Sequence, residues 1–514
     1  MTVVSRLRIV APAAVESRLA ERLRGSDADA LIYVSAGPGR RPRRDGIAAA
    51  AAAFASAAQA GVTRAIVVSS AAVYGASPYT PGFVDETWEA PPTHPNAIAA
   101  WWQELERQAR ASLPAAELTI LRPATVVGRD GFISSLLGRR VAVTLAGHDP
   151  SVQLLGVDDL VDAIACATER SRGGVFNVAP EGVSPLRAAL RTAGVLRLAV
   201  PRTWQRPIRA ALAPLGLAHS ADHLEFIRYS WTVSGDRIAR ELEFVPRAAA
   251  PAFDRFGQDL AYIQAYGRTL FTFLSRYYWR IETEGLDRVP ASGRAVLVGP
   301  HRGFMPFDGV MLLHLVARGR GRYIRFLIHP SLLKFPFLFN FMTKLGGILA
   351  CRENADWILR RDEIAGVFPE GIHGAFTPYR DAYRLGKFGR DEFVRMALRN
   401  RAPIVPFATV GSAEIFPILA KIRWPWWERW TDWPYFPITP TFPVAPIPLP
   451  SKWHVRFLAP IHVEDQYPPE AADDPAVVRV ISRTVRDVIQ AEIDDMLRRR
   501  RSVFFGSIFD YGAL

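Results

Sequence analysis

The sequence predicts an α/β fold built twice along one chain. Three observations lead there. Short β-branched runs alternate with helix-forming stretches across the first 250 residues. A second alternation follows a Pro- and Ala-rich junction, and the 514-residue length exceeds what one hydrophobic core organises. The reading divides the chain into residues 1–250, a helical connector 251–285, and a second domain 286–514.

In the first part, Leu7 to Ala11 reads as a strand and Glu16 to Arg24 as a helix. Ala30 to Ser35 is a second apolar run, ending at Gly37, Pro38 and Gly39. Ile47 to Ala60 is alanine-dense, and alanine has the best helix propensity. Arg64 to Ser69 is a β-branched strand closing at Ser69-Ser70-Ala71-Ala72-Val73-Tyr74-Gly75. This alternation predicts a parallel sheet covered by helices.

The connector carries Ala248 to Ala252, then a helix expected over Phe253 to Tyr278. Its apolar and aromatic residues Phe271, Phe273, Leu274, Tyr277 and Tyr278 are read as packing against the second domain rather than lipid. Beyond it, Ala295 to Val298 is a buried-strand pattern leading into Gly299-Pro300-His301. A helix is expected to open at Pro306, because proline suits the first helical position. His301 then lies on a loop at a strand end and Asp308 in the first helical turn. In such a geometry a carboxylate orients an imidazole that takes a proton from a substrate hydroxyl. Further strands are expected at Tyr323–Ile328, Gly346–Arg352, Ile364–Val367 with the turn Phe368-Pro369-Glu370-Gly371, and Arg401–Ala408.

Composition narrows the classes. No apolar run reaches the roughly 18 residues a membrane span needs. The N-terminus lacks signal-peptide order, and the two cysteines, Cys166 and Cys351, suggest no disulfide framework, so a cytoplasmic protein is expected. The net charge is +13, and 58 of the 63 basic residues are arginine. That balance suits anionic lipid or an anionic substrate; no aromatic-interleaved basic module suggests nucleic acid. Between Arg423 and Trp453 lie Trp424, Trp426, Trp427, Trp430, Trp433, Tyr435, Phe436 and eight prolines, including the Pro434–Pro443 and Pro446–Lys452 segments. Tryptophan and tyrosine favour lipid headgroups, so this loop is expected on a membrane surface. The last helix, capped by Asp474, places Val478, Ile481, Val485, Val488, Ile489 and Met496 on one face. It runs into Arg498–Arg501 and Val503-Phe504-Phe505, a pattern also suited to anionic lipid.

Two resemblances sharpen this. The segments Ala60 to Tyr74-Gly75, Leu121-Arg122-Pro123-Ala124, Gly156 to Leu160, Gly173 to Ala179 and Arg228 to Pro246 resemble the extended short-chain dehydrogenase/epimerase family, in order. The resemblance implies a Rossmann-like sheet. That family works with a tyrosine and a lysine four positions on. Here no lysine precedes Lys334, no tyrosine lies between Tyr79 and Tyr229, and the stretch expected to hold the pair reads Asn96 to Trp102. Ala11-Pro12-Ala13-Ala14 stands where a Gly-rich phosphate turn is expected, and the segment bearing the ribose-binding acid is missing. The domain is therefore read as degenerate, with no NAD(P) and no other cofactor.

The blocks around His301, Gly346–Arg352, Phe368–Gly371 and Arg401–Ala408 resemble, in order, the glycerolipid acyltransferase superfamily that contains lysophosphatidate acyltransferases. Lys387-Phe388-Gly389 and Phe393–Leu398 resemble it too. The resemblance implies His301 as general base and Asp308 as its orienting partner. It implies Arg352 on an anionic part of the acceptor, Phe368, Pro369, Glu370 and Gly371 around the acceptor pocket, and Pro403 supporting the acyl-donor side. Six residues separate His301 from Asp308 instead of four, and Pro300 replaces an asparagine. A bacterial subgroup is similar in this longer spacing ending in Pro-Phe-Asp-Gly. The implied activity is a peripheral acyltransferase on the inner membrane face, moving an acyl group from acyl-coenzyme A or acyl carrier protein to a lipid hydroxyl. The alternatives are a non-catalytic lipid-binding scaffold and a bifunctional reductase–acyltransferase.

Overall fold

A computed structural model describes residues 2–4, 7–24, 29–38, 45–89, 95–128, 131–212, 221–247, 253–335, 337–389, 391–444 and 447–509. Gly39, Ala248–Ala252 and Pro446 lie outside the described residues. The chain divides into two compact units: Met1–Gln258 with Phe335–Asn340, and Asp259–Lys334 with Phe341–Leu514.

Unit 1 is built on a six-stranded sheet. In order across the sheet these are β1 (Thr2–Val4), β2 (Leu7–Val10), β3 (Ala30–Val34), β4 (Arg64–Val68), β5 (Glu117–Pro123) and β6 (Gly174–Val178). All neighbours run parallel except β1, which pairs antiparallel with β2. All five residues of β3 are buried, as expected for a parallel strand covered on both faces. Helices α1 (Ala13–Arg22) and α4 (Val157–Arg170) pack against each other and fill one side. Val15, Leu19, Leu160 and Ile164 meet Ile9, Ile32 and Phe176 in a single core there. Helices α2 (Asp45–Gln59) and α3 (Ala97–Ser112) pack together as a second pair. Asn96 caps α3, accepting from the Ile98 and Ala99 N–H groups at 2.9 and 3.1 Å.

Unit 2 begins with a helical segment that opens at Leu260, about two turns later than expected. Asp259 caps Leu260–Tyr266, and two π-helical turns, Gly267–Phe271 and Leu274–Tyr278, follow. Phe253 forms an isolated bridge with Val183 in unit 1. Phe271 and Leu274 are buried, as packing predicts, whereas Phe273 and Tyr277 are exposed.

The sheet of unit 2 has seven strands: β7 (Glu282–Glu284), β8 (Ala295–Val298), β9 (Ile324–Ile328), β10 (Ile348–Leu349), β11 (Ile364–Val367), β12 (Ile404–Val410) and β13 (His454–Phe457). Their order across the sheet is β7-β13-β12-β8-β11-β9-β10, parallel throughout except for the antiparallel β12–β13 pair. Strand β8 sits at the centre with every residue buried. Helices α5 (Phe307–Arg320), α6 (Arg352–Arg360), α7 (Glu392–Arg399) and α8 (Pro475–Arg499) pack on the sheet. Helix α8 is capped by Asp474 at 2.7 Å and buries Val478, Ile481, Val485, Ile489, Ile493 and Met496. Val488, expected on that face, is 41% exposed, because it falls outside the stripe set by the 3.6-residue period.

The basic run at the end of α8 is divided. Arg498 and Arg499 each pair with Asp495 at 2.9 Å, and Arg500 turns inward to Glu414 at 2.5 Å with both side chains nearly buried. Arg500 is thus spent inside the fold rather than facing solvent. Among the described residues, no helix is long and apolar enough to cross a membrane.

Candidate active site

Strand β8 ends where the chain must pass under an aromatic ring. A Cβ at Gly299 would stand 2.4 Å from the Phe407 ring, so only glycine lets the loop leave the sheet here. The chain then turns through Pro300, His301 and Arg302. Gly303 adopts φ +74°, and α5 starts at Phe307 with Pro306 as its cap. This turn folds His301 back over the first turn of α5. His301 Nδ1 stands 3.3 Å from Asp308 Oδ2, with the carboxylate buried and the imidazole 15% exposed.

The contact is within ion-pair reach but is not aligned as a hydrogen bond, since His301 Nδ1 and Asp308 Oδ1 lack hydrogen-bond partners. Asp308 is fixed instead by the Arg302 backbone N–H, which donates to Oδ2 at 2.7 Å. A small rotation of the imidazole would complete the bond, a tightening familiar when substrate enters a site. Phe368 flanks the imidazole, ring centres 4.9 Å apart, and Phe368 itself stacks on Phe326 at 5.3 Å.

Glu370 lies beside this loop in an unforeseen role. Its carboxylate is occupied by Arg302, whose Nη1 donates to Oε2 at 2.6 Å and whose Nη2 donates to Oε1 at 3.3 Å. Both side chains are almost fully buried. The same guanidinium donates to the carbonyls of His301 at 2.9 Å, Arg384 at 3.3 Å and Ala382. Gly386 N–H donates to Glu370 Oε1 at 2.7 Å. Arg302 is the residue that sequence reasoning missed, read only as part of the spacer between His301 and Asp308. Its signal is a long cation beside an apolar strand end, with a carboxylate in the Phe-Pro-Glu-Gly turn. That turn closes by Gly371 N–H donating to the Phe368 carbonyl at 2.9 Å, and Gly371 holds φ +59°. The Pro369 carbonyl accepts from Gly389 N–H at 3.3 Å.

The remaining candidates lie elsewhere. Arg352 opens α6 beyond edge strand β10, three strands from β8 or about 14 Å at the ~4.8 Å strand spacing. It is exposed and approaches Asp356 at 3.6 Å. Pro403 precedes β12, where its carbonyl accepts from Val296 N–H at 2.9 Å. It therefore sits at the opposite end of the strands from His301.

An aromatic wall extends from the His301 loop. Phe304 meets Phe442 at 4.9 Å, Phe416 at 5.1 Å and Trp433 at 6.0 Å. Trp427 continues it to Trp433 and Phe436. At its far end Trp424, Trp426 and Trp430 are 47%, 54% and 58% exposed, with Trp426 stacked on Trp430. A strand pair, Ala420–Ile422 with Phe436–Ile438, carries this insert.

In unit 1 a cavity of about 440 Å³ opens at the ends of β3, β4 and β5, lined by Gly37, Ser69, Ser70, Trp102, Pro123 and Trp231 among others. Tyr74, beside it in sequence, is held in a buried network. Its hydroxyl donates to Asn177 Oδ1 at 2.9 Å and accepts from Arg122 at 2.7 Å, and Arg122 also bonds Glu106. Burial pushes the Tyr74 hydroxyl up to about 12.

Two strand-rich units, one with a His–Asp pair at the end of its central strand, define a fused α/β protein. Unit 2 carries an acyltransferase domain and unit 1 an NAD dependent epimerase/dehydratase domain. The acyltransferase family model matches residues 280–410, which include His301, Asp308, Glu370 and Pro403. The NAD dependent epimerase/dehydratase family model matches residues 18–179. An uncharacterized Mycobacterium tuberculosis protein is 39% identical over 262 residues, covering 49% of this chain and 72% of that protein. Phytyl ester synthase 2, chloroplastic, of Arabidopsis thaliana is 28% identical over 141 residues, 26% of this chain and 20% of that one. Among solved structures, MoeE5 in complex with UDP-glucose and NAD is 18% identical with a TM-score of 0.36, covering 49% of this chain and 95% of that chain.

The epimerase/dehydratase match corrects one expectation. The sequence reading excluded NAD(P); the family model instead points to an NAD-type cofactor for unit 1. The exclusion leaned on the missing tyrosine–lysine pair, glycine turn and acidic segment, and it did not weigh the cavity at the strand ends. Ser69 Oγ is buried there without a hydrogen-bond partner, so the lining fits the uncharged end of such a cofactor. When bound, that cofactor supplies hydride exchange. Unit 1 has no lysine, and Asn96 to Trp102 is the capped start of α3.

Proposed function

We propose that unit 2 transfers an acyl group from a thioester, acyl-coenzyme A or acyl carrier protein, to a hydroxyl of a lipid acceptor. The observation that carries this reading is His301 Nδ1 lying 3.3 Å from buried Asp308 at the end of the central strand. With Nδ1 turned to Asp308, Nε2 takes the acceptor's proton. The alcohol oxygen attacks the thioester carbonyl, and the tetrahedral intermediate collapses with loss of thiolate, which receives the proton from the imidazolium. Asp308 holds the ring and stabilises its charged form. Arg302 and Glu370 are positioning residues that brace the loop. Phe368 covers one face of the imidazole, Gly371 makes the turn behind it, and Arg352 meets an anionic group only where the acceptor carries one. Pro403 acts at most by anchoring β12, on the donor side.

The likeness to a phytyl ester synthase favours a neutral lipid alcohol over lysophosphatidate as acceptor. The protein works on the inner face of a membrane, with Trp424, Trp426 and Trp430 seated among lipid headgroups. Residues 1–250, 251–285 and 286–514 act as cofactor-family domain, connector and transferase domain. A second reading, a bifunctional reductase–acyltransferase, is favoured by the epimerase/dehydratase match alone. The test is incubation with labelled acyl-coenzyme A and a panel of long-chain alcohols, diacylglycerol and lysophospholipids, with His301→Ala as control. Equal product from the variant would sink the assignment.

A further inference from the structure

In unit 2 the backbone from Ala382 to Gly386 is gripped from two sides. On one side stands the brace of the candidate base. Arg302 donates from Nε to the Ala382 carbonyl and from Nη2 to the Arg384 carbonyl at 3.3 Å, and Gly386 N–H donates to Glu370 Oε1 at 2.7 Å. On the other side stands α8. The Gln490 side-chain amide accepts from Leu385 N–H at 2.7 Å and donates to the Tyr383 carbonyl at 3.0 Å. Arg486 donates from Nη2 to the Leu385 carbonyl at 3.0 Å and from Nε to the Gly386 carbonyl at 2.9 Å. Successive carbonyls from Ala382 to Leu385 therefore alternate between the brace and α8. The Tyr383 side chain pins the middle of the segment. Its hydroxyl donates to Glu414 Oε2 at 2.6 Å and accepts from Gly411 N–H at 2.9 Å and Arg500 Nη1 at 3.2 Å.

Bonds of this kind transmit position, because neither end can shift without stranding a donor or an acceptor. Arg302 carries the other end of the link: its side chain holds the His301 carbonyl at 2.9 Å, and its backbone N–H fixes Asp308 at 2.7 Å. Gln490 is itself oriented by donating to Asp494 Oδ1 at 2.9 Å, one helical turn on, which turns its carbonyl oxygen toward Leu385. We propose that Gln490 and Arg486 of α8 are positioning residues for His301, acting through residues 382–386 on the Arg302–Glu370 pair. The inference rests on His301 being the base of acyl transfer. It adds to that site a helix lying beyond residues 280–410, the span matched by the acyltransferase family model.

The first readout needs no substrate. In the full chain carrying isotope-labelled histidine, the ring 15N signals of His301 are assigned by their loss in His301→Ala. They should move in Gln490→Ala, and also in Gln490→Glu, which keeps the volume but turns a carboxylate oxygen to the Tyr383 carbonyl and carries the test if the alanine variant fails to fold. The second readout is transfer from labelled palmitoyl-coenzyme A to whichever acceptor of the panel above wild type uses fastest. There kcat should fall by about 10-fold with KM within about 2-fold, the pattern of lost alignment rather than lost binding. Ile493→Val trims buried packing of the same helix, so it should lower the melting temperature yet keep wild-type signals and kcat. Gln490→Ala combined with Glu370→Gln should lose no more activity than the worse single variant, because both act along one path. Unmoved ring signals would overturn the proposal, as would wild-type kcat in Gln490→Ala, an equal fall in Ile493→Val, or fully additive losses. If His301→Ala turns over like wild type, the acyl-transfer assignment fails instead, and the ring signals alone decide whether α8 positions the loop.

Discussion

Glu370→Gln probes the brace behind the candidate base while leaving side-chain volume unchanged. In the native fold the Arg302 guanidinium spreads its donors over two Glu370 oxygens and the carbonyls of His301, Ala382 and Arg384, with both charged groups almost fully buried. The substitution removes the only charge opposing Arg302 among those contacts. Breaking one side of a buried pair costs about 3–5 kcal/mol. For a unit of this size, each kcal/mol shifts melting by about 2–4 °C, so a fall of about 6–20 °C is expected. The loop carbonyl of His301 is one of the groups held, so the imidazole should drift relative to Asp308. A displacement of about 1 Å costs on the order of 100-fold in kcat. Differential scanning calorimetry and acyl-transfer rates on the same preparation read both effects. Arg302→Lys, which keeps the charge but loses the planar fork, should fall between wild type and Glu370→Gln. A Glu370→Gln protein that melts within about 1 °C of wild type and turns over normally would refute the brace.

Three further outcomes are expected. His301→Ala should lower acyl transfer by about 10²–10⁴-fold with melting little changed, measured by product formation from labelled acyl-coenzyme A. Replacing Trp424, Trp426 and Trp430 together by alanine should weaken vesicle binding by roughly 100-fold, taking ~1 kcal/mol for each half-exposed ring, while leaving soluble-substrate turnover intact; co-sedimentation reads it. His314 lies buried within α5, and burial with the nearby Arg318 lowers it to about 4. Its folded value lies below the unfolded one, so the unfolded chain binds more protons in between. Stability of unit 2 should therefore be full above about pH 6.5 and fall as pH drops toward 4, by a few kcal/mol at ~1.4 kcal/mol per unit. His314→Leu should flatten that slope in urea titrations; an unchanged slope would assign acid lability to other groups such as His454, also lowered to about 4.

Much of this architecture is legible in local pattern. β-branched runs and glycine–proline punctuation mark β3, β4, β8 and β11, because the 2.0 and 3.6 periodicities are local properties. The His301 and Asp308 pairing is legible too, since seven residues of strand end and helix start bring them together. The Arg302–Glu370 pair is not. It joins residues 68 apart, and nothing in either segment alone says which way a long side chain turns. Arg500 shows the same limit: its neighbours Arg498 and Arg499 remain at the surface while it enters the interior to meet Glu414. Resemblance grouped Pro403 and Arg352 with the site, but strand direction separates Pro403 from His301 by the length of the sheet. The cofactor expectation failed because it weighed absent motif residues and not the space enclosed by the strand ends.

The contact between Arg500 and Glu414 sets an order of events during synthesis. Glu414 also accepts from the Tyr383 hydroxyl at 2.6 Å, and Arg500 further holds the carbonyls of Lys452 and Val503, each at 3.3 Å. Strand β7 likewise pairs with β13, whose residues lie about 170 positions later. Until the ribosome has released both partners, a carboxylate stays without its cation and an edge strand without its neighbour. Unit 2 therefore matures only after its final helix emerges, and an enzyme stalled on the ribosome at residue 480 would carry His301 in a scaffold still lacking its closing element.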